Sequence, residues 1–367
     1  MQPNETIRLH WLRRDEVRLG METIARLWKK DHVLARDSAL FRWQYGHGRD
    51  AEHLGFLVAE AEEGVVACSG LMVLPYHMQG TPVFGGVGAI TVVDPRYREQ
   101  ALGLSLMREA DRDLVIIGSF GINPRIARLF RLQGRHIFTY PRYVCLTKRE
   151  LYERYMASAG GDTNKARAAW EKSGHSTAVS MPPGYTVEEL WEGNMEEWDR
   201  AWRNVFAPGL IGVARDAAYL RWRYLEHPSF TYLALIVRNS RQNVCGLTVC
   251  RTVPLPDNLC ALRILDFLPA DDNAGQALAV RLMEMLPDQC VYMEHAALGQ
   301  QWQGLKLLGL DTAGAAGISA YTSPPDLAHT DVLSEFMVTH KDYTSQSFAE
   351  SPLCYMTLAD GDQDRPN

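Results

Sequence analysis

The segment from Val92 to Met107 reads VVDPRYREQALGLSLM and is the most informative stretch of the chain. Its pattern predicts a β-strand that stops at Pro95, a tight polar loop, and then an amphipathic helix. A loop at the start of a helix presents unpaired backbone N–H groups and the positive end of the helix dipole. Gly103 allows close backbone approach, and Arg98 adds a positive charge. The segment therefore predicts a site for a pyrophosphate.

A second pattern occurs twice, at a separation of 179 positions. Residues 35–45 read ARDSALFRWQY and residues 214–224 read ARDAAYLRWRY, with seven of eleven positions identical. The runs that follow also correspond, so that each half reads helix, three strands, helix, strand, helix. Two long copies indicate duplicated domains and not a solenoid. The aromatic residues of the block have helical spacing in both copies, so we expect them to pack in the core.

The length of 367 residues agrees with two domains. We expect an N-terminal domain over residues 1–155, a connector over 156–183, a C-terminal domain over 184–325 and a tail over 326–367. The connector contains paired glycines, paired prolines and many small polar residues, which are typical of a linker. The alternation of helices and strands predicts the α/β (mixed α+β) class.

A further match runs from Asn123 to Gly134, where an Asn opens the last helix of the first half and a glycine ends it. The run from Arg98 to Gly103 resembles motif A of the GNAT acetyltransferase superfamily, and the run from Asn123 to Gly134 resembles its motif B. The two runs have the order of the family's motifs and about the same separation. Ala101 stands where the middle glycine of motif A usually lies. The resemblance covers roughly residues 54 to 135.

This resemblance implies two tandem GNAT-like domains, each a mixed, splayed central sheet flanked by helices. It implies acetyl-CoA as co-substrate, with Asn123 contacting the pantetheine arm between two parted strands. No metal ion is expected. The residues that would bind CoA are Val92, Arg98, Glu99, Gln100, Ala101, Leu102, Gly103, Leu104, Asn123 and Phe130.

The second half departs from this motif. At a shift of 176 positions, Ala274 replaces Arg98 and Ala279 replaces Gly103. The loop from Asp271 to Gly275 carries two acids, which would repel a pyrophosphate. We therefore expect CoA binding in the first half alone. The second half would complete one wall of the acceptor cleft or support the sheet of the first domain.

The chemistry that the resemblance implies is direct attack of an amine on a thioester, without an enzyme nucleophile. A backbone N–H near Val92 would stabilise the oxyanion. Holding the amine and the thioester together would supply much of the rate. Phe130 stands where many GNAT proteins have a proton-donating tyrosine. Another donor would therefore be needed, or the thiolate would leave without one, since the pKa of a thiol is near 8.5.

Several residues are candidates for the general acid and the general base of the reaction. The acid could be Tyr97, Tyr140 or Tyr143, and the base could be His47, His77, His136, His340 or Asp342. The last two belong to the polar string THKDYT of the predicted tail, which would fold back over a cleft or lie in solvent. The residues predicted to be catalytic are His340, Asp342, Tyr97 and His136.

Composition argues against several other classes of protein. The net charge of −6 shows no basic footprint, so no nucleic acid partner is expected. No apolar run is long enough for a membrane span, and the start does not resemble a signal peptide, so we expect a cytoplasmic protein. The seven cysteines are odd in number and form no C-x-x-C pair, which predicts buried, reduced thiols.

The expected acceptor is a small-molecule amine. A looser similarity to tandem proteins of bacterial surface-polysaccharide pathways suggests an amino sugar, with a nucleotide-linked form as one option. The alternative acceptors are another small amine, an antibiotic, and an aminoacyl or peptide amine. A homodimer is one option for the oligomeric state. Two alternatives are not enzymes: a non-catalytic acyl-CoA-binding module and a scaffold of two pseudo-domains.

Overall fold

A computed structural model describes residues 6–47, 50–122, 124–158, 178–299, 303–310, 332–338 and 354–364, with positions 164, 167, 170, 171 and 176. Its strands are β1 (Arg8–Arg13), β2 (His53–Ala61), β3 (Gly64–Met78), β4 (Thr81–Val93), β5 (Ile116–Phe120), β6 (His136–Tyr140), β7 (Arg142–Leu146), β8 (Thr186–Glu189), β9 (Ile211–Val213), β10 (Leu233–Arg238), β11 (Val244–Leu255), β12 (Leu259–Pro269), β13 (Cys290–Gly299), β14 (Val332–Val338) and β15 (Cys354–Thr357).

The α-helices of these residues lie between and over the strands. They are α1 (Val17–Leu27), α2 (Val33–Arg36), α3 (Ser38–Gly46), α4 (Leu102–Asp113), α5 (Pro124–Leu132), α6 (Arg149–Ser158), α7 (Met195–Ala201), α8 (Ala217–Leu220), α9 (Asp272–Glu284) and α10 (Gln303–Leu307). A 3₁₀ turn, Pro95–Gln100, precedes α4.

The first half forms a mixed sheet. Strands β2, β3 and β4 pair antiparallel in chain order, and β1 pairs with β2. Strand β5 pairs parallel to β4, with Gly85 to Gly88 opposite Ile116 to Ser119. After these pairs the two strands part. The gap between them is the place where a ligand could enter the sheet from its edge.

A β-bulge lies at the start of this gap. Gly70 of β3 pairs with Ile90, while the next residue, Leu71, pairs with Gly88, so Ala89 is one extra residue on β4. A bulge bends its strand and leaves the extra residue outside the regular hydrogen-bond ladder.

The second half repeats this arrangement. Strands β10, β11 and β12 pair antiparallel, and β13 is parallel to β12 from Cys260 to Ile264. On β12 the extra residue is Leu265, which follows Ala89 by 176 positions. The duplicated topology therefore extends to the bulge.

The two halves exchange strands. Strand β7 precedes the second half in the chain, yet it pairs with β13. Strand β14 comes after residue 325, and it pairs with both β5 and β6 in the first half. Strands β9 and β15 pair with each other and join β3 to β13, which makes one continuous sheet. The boundaries at 155, 183 and 325 stay predictions, but the segment assigned as a tail supplies two strands.

The repeated blocks meet at a pseudo-two-fold axis. The Trp43 indole donates to the Trp222 carbonyl at 2.9 Å, and the Trp222 indole donates to the Trp43 carbonyl at 3.0 Å. The two rings stack with centroids 5.0 Å apart. His47 stacks on Trp222 and extends the stack at that end, whereas His227 contacts Trp43 edge-on. As predicted, these aromatic residues pack together, with the reciprocal contacts of an isologous interface.

All seven cysteines are free and buried, as the sequence predicted. Burial raises the pKa of the Cys68 thiol to about 12, so this thiol stays protonated at neutral pH. Among the described residues, no helix has both the length and the apolar character needed to cross a membrane.

Candidate active site

A cavity of about 540 Å³ opens in the first half, where β4 and β5 part. Its walls come from β3, β4, β5, α4 and α5, and the residues from Ala101 to Leu104, together with Arg98, close one end. The site is therefore built from the two segments that the sequence singled out, together with the strands between them.

The loop before α4 has a defined backbone. Asp94 caps the 3₁₀ turn by accepting from the Arg96 backbone N–H at 3.0 Å and from its guanidinium at 2.9 Å. These hydrogen bonds from Arg96 lower the pKa of Asp94 to about 2. Ala101 follows with a φ of 53°, in the left-handed region that favours glycine. This backbone explains why motif A usually carries a glycine at this position.

Gly103 lies in the first turn of α4 and lines the cavity. A Cβ at this position would come no closer to the protein than 3.8 Å, from Val93 Cγ2. Packing therefore does not require glycine here. Its missing side chain leaves the helix N-terminus accessible to a ligand phosphate.

Most of the residues predicted to bind CoA surround this cavity. Six of them line it: Arg98, Ala101, Leu102, Gly103, Leu104 and Phe130. Glu99 and Gln100 are exposed and do not line the cavity, and Asn123 lies outside the described residues. Val92 packs against the opposite face of the sheet, in the apolar cluster under α1 and α3, because side chains alternate along a strand. Its neighbour Val93 lines the cavity instead.

Two cavity features were missed by sequence reasoning. Ser69 of β3 and Thr91 of β4 are cross-strand neighbours, with their hydroxyl oxygens 3.0 Å apart in the lining. The bulged Ala89 also lines the cavity. The polar residues within apolar strands were a weak signal for the hydroxyl pair, but their adjacency depends on strand register, which the sequence does not show.

The proton-transfer candidates that the structure describes do not line the cavity, and the others lie outside the described side chains. Tyr97 is buried in the apolar cluster beneath α4, and Tyr143 lies on β7, opposite His295 of the second half. His47 stacks on Trp222, and His77 packs against Trp202. The side chains of His136 and Tyr140 are not described, and His340 and Asp342 lie outside the described residues. Among the lining residues that the structure describes, Arg98 is the one titratable side chain.

The corresponding gap in the second half is filled. Strand β15 pairs with β13 from Ala297 to Gly299, just past the last β12–β13 pair. The Tyr355 hydroxyl of β15 donates to Asp266 at 3.0 Å and accepts from the Phe267 backbone N–H at 2.9 Å. The C-terminal part of the chain thus occupies the space that forms the cavity in the first half.

The second half also lacks the loop that precedes α4 in the first half. Helix α9 begins at Asp272, so the positions that correspond to the loop are helical. The Asp271 carboxylate accepts from the Ala274 backbone N–H at 2.8 Å and caps this helix. A carboxylate of the protein therefore occupies the place of an anionic ligand. The absence of CoA binding in the second half stays a prediction.

Buried ion pairs hold the C-terminal segment inside the second half. The Asp364 carboxylate lies 2.5 Å from the Arg251 guanidinium and 2.9 Å from that of Arg263. Asp360 lies 2.6 Å from Arg215, and all of these residues are buried. Burial alone would raise the pKa of Asp364, but the Arg251 hydrogen bond and the nearby arginines hold it well below its usual value.

The charge around the two gaps has opposite sign. Residues 95–135 contain eight arginines and four acidic residues, a net charge of +4. The corresponding residues 271–311 contain two basic and six acidic residues, a net charge of −4. An anionic ligand is therefore attracted to the first half and repelled from the second.

No family model matches the chain, and no curated protein matches it by sequence. Solved structures do. One is a probable N-acyltransferase of unknown function from Enterococcus faecalis V583, at a TM-score of 0.57 and 13% identity, covering 91% of this chain and 72% of that one. Another is a GCN5-related N-acetyltransferase from Anabaena variabilis ATCC 29413. The TM-score is 0.57 and the sequence identity 11%, and the match covers 91% of this chain and 73% of that one. The chain is also similar to Saccharomyces cerevisiae N-myristoyltransferase with bound myristoyl-CoA. The TM-score is 0.51 and the sequence identity 11%, and the match covers 92% of this chain and 79% of that one.

These similarities show the class of fold. The chain has the GNAT fold, in the long form shared with these acyltransferases, and this confirms the predicted mixed α/β architecture. At such low identity the comparisons establish the fold alone, and activity has to be argued from the site.

Proposed function

We propose that the protein is an acyl-CoA-dependent N-acyltransferase whose first half binds the thioester and transfers its acyl group to a primary amine. The observation that carries this proposal is the cavity between α4 and α5, with an accessible helix N-terminus at one end and a parted parallel strand pair along its length. The acyl-CoA chemistry named for the myristoyl-CoA-bound structural neighbour supports it.

The cavity suits each part of the co-substrate. Arg98 and the N–H groups around Gly103 would hold the pyrophosphate. The hydroxyl pair of Ser69 and Thr91 lies where the amides of an extended pantetheine arm would pass. The apolar side chains of α5, such as Phe130, would cover the arm from the other side. The donor predicted from the sequence, acetyl-CoA, is the reference substrate.

The reaction needs little chemistry from the protein. The amine nitrogen attacks the thioester carbon, a C–N bond forms, and the C–S bond breaks with its electron pair going to sulfur. One proton leaves the attacking nitrogen, and one proton returns to the thiolate. We assign the oxyanion contact to the backbone N–H groups at the Ala89 bulge, on the same strand as the position expected near Val92. Ala89 is the extra residue outside the regular β3–β4 ladder, and it lines the cavity.

The acceptor would approach from the face that α1 to α3 and the second half share. We propose a small-molecule amine, with an amino sugar as the first class to screen. The nucleotide-linked form, a cytoplasmic location and a homodimer stay predictions from the sequence.

Calorimetric titration with acetyl-CoA and CoA tests the binding step. We expect one site per chain and at least a 100-fold weaker affinity in Arg98→Glu, because the variant places an anion beside the pyrophosphate. Arg98 is exposed, so the fold should tolerate the change. Ala274 corresponds to Arg98 but is buried, so the matched control is Asn273→Glu on the exposed start of α9. Native affinity in Arg98→Glu would contradict the proposal.

One observation favours a second candidate function. The described cavity lining contains no His, Tyr, Cys, Asp or Glu side chain that could transfer a proton. A non-catalytic acyl-CoA-binding module would need none. Release of free CoA thiol in the presence of a panel of amines separates the two candidates. Tight binding without release for any amine would favour the module.

A further inference from the structure

The cavity continues past the point where β4 and β5 part. Ile117 belongs to the paired portion of β5, and Leu71 lies opposite Gly88 on β3, yet all three residues line the cavity. Leu71, Ile117 and Ala110 of α4 share one apolar cluster. This extension is a recess between the sheet and helix α4, formed by Leu71, Gly88, Met107, Ala110 and Ile117, and is called the α4 recess below.

Glycine creates the recess and larger residues end it. A Cβ at Gly88 would make ordinary contacts, 3.6 Å from Gly118 O and Ser119 Oγ, so the cavity reaches this position without crowding. A Cβ at Gly86, two residues back along β4, would lie 2.8 Å from Leu114 Cδ1 and 3.2 Å from Leu71 Cδ2. The recess is therefore open above Gly88 and closed above Gly86.

The α4 recess lies in line with the donor arm. The phosphate loop is at the carboxyl end of β4, so an arm that enters there and runs along the gap reaches the bulge at Ala89 with its thioester. The recess begins beside this bulge, at Gly88. The group that comes next along the donor after the thioester is the acyl chain.

We propose that the α4 recess binds the acyl chain and selects unbranched apolar acyl groups of about four carbons over acetyl. This inference rests on the proposed function. Met107 and Ala110 are three residues apart on α4, which is about 4.5 Å along the helix axis. With C–C bonds of about 1.5 Å, that length holds roughly three carbons beyond the carbonyl. All five residues of the recess are apolar, so a charged acyl group of the same length is excluded.

The test is a calorimetric titration of the full chain with four thioesters: acetyl-, butyryl-, octanoyl- and succinyl-CoA. Each buried methylene is expected to tighten binding about fourfold, so butyryl-CoA should bind about 15-fold more tightly than acetyl-CoA. Octanoyl-CoA should show no further gain. Succinyl-CoA has as many acyl carbons as butyryl-CoA but ends in a carboxylate, and it should bind more weakly than acetyl-CoA.

Two variants change the depth of the recess in opposite directions. Ala110→Leu fills it, so the butyryl-to-acetyl affinity ratio should fall from about 15 to near 1. Ile117→Ala deepens it, so the preferred chain should lengthen to about six carbons. Thermal unfolding shows whether each variant is folded, and either variant alone is sufficient to test the recess.

The outcomes separate this inference from the proposed function. Equal affinity for acetyl- and butyryl-CoA, with a ratio that neither folded variant changes, would overturn the acyl recess and leave acyl-CoA binding intact. Tight binding of succinyl-CoA would overturn it as well. No binding of any thioester would overturn the proposed function and the recess with it.

Discussion

The two halves of the chain repeat one topology but differ in what fills the gap between their parallel strands. In the first half the gap after Gly88 is open and forms a cavity. In the second half, β15 and the buried Asp266 occupy the corresponding space. Ile264 stands at the position of Gly88, at the constant shift of 176. The same backbone thus supports an open site or a closed core, depending on a few side chains and one strand.

This difference is consistent with a binding role for the first half and a supporting role for the second. A binding site needs small residues, exposed helix N–H groups and unfilled volume, all of which cost stability. In the second half the corresponding gap is filled by β15 and Asp266. This half uses the space for packing and for ion pairs that hold the end of the chain, and it contacts the first half through the reciprocal tryptophans. The closed half can therefore act as a rigid support for the open one.

The largest expected effect comes from two arginines at the same place in the repeat. Arg215 is fully buried between Asp266 and Asp360, whereas Arg36 is exposed and pairs with Asp31. Arg215→Met should reduce the free energy of unfolding by about 3–5 kcal/mol, because two buried carboxylates lose their partner. Arg36→Met should change it by less than about 0.5 kcal/mol. Urea denaturation measures the free energy of unfolding of both variants. Equal losses would show that the buried Arg215 contributes no more to stability than the exposed Arg36.

A second test concerns Asp364, whose pKa is held low in the folded protein. A depressed folded pKa contributes stability above the unfolded value, near 3.9, and this contribution is lost as the pH falls below it. Asp364→Asn should therefore cost about 3 kcal/mol at pH 7, and the difference from the unmodified protein should shrink below about pH 4. The control is Asp288→Asn, on an exposed carboxylate near Lys148. A pH-independent difference would argue against the buried ion pairs.

A third test converts the open gap into the closed one. Gly88→Ile copies the residue at the second-half position and should weaken acyl-CoA binding at least 100-fold, because its side chain enters the cavity. Truncation at the matched position, Ile264→Ala, should lower stability but create no second binding site, since β15 still fills the gap. Calorimetric stoichiometry and affinity report both results. Two sites in Ile264→Ala would show that strand β15 does not block the second half.

The smallest effect is expected at the pseudo-two-fold axis. Trp43→Phe and Trp222→Phe each remove one indole hydrogen bond to the other half. Each should cost about 1 kcal/mol in the free energy of unfolding, and the two losses should be similar because the contacts are reciprocal. Clearly unequal losses would mean that the two halves do not use this interface symmetrically.

Local pattern was sufficient for much of the site. The proposed phosphate loop depends on a strand end, a turn and a helix start within one segment, so Arg98 and Gly103 could be placed beside the cavity from the sequence. Which side chains of β4 face the cavity was harder to predict from the sequence. The sequence predicts Val92 among the CoA-binding residues, whereas the side chain that lines the cavity is that of Val93, and the bulge at Ala89 shifts which residues face each side. Such one-residue changes are set by pairing with β3, which no local pattern records.

The amino-acid sequence alone determined the duplication, the α/β class, the strand–turn–helix segment from Val92 to Met107 and its altered counterpart in the second half, because each depends on residues near one another in the chain. Only the tertiary structure decided where the end of the chain goes. Strands β14 and β15 join partners more than 50 residues away, and the acidic end around Asp364 meets arginines more than 100 residues away. A polar segment of this kind looks like a solvated tail until buried partners are known. Contacts across such separations depend on the final packing of both halves, so the fold, and not the local sequence, closed one site and left the other open.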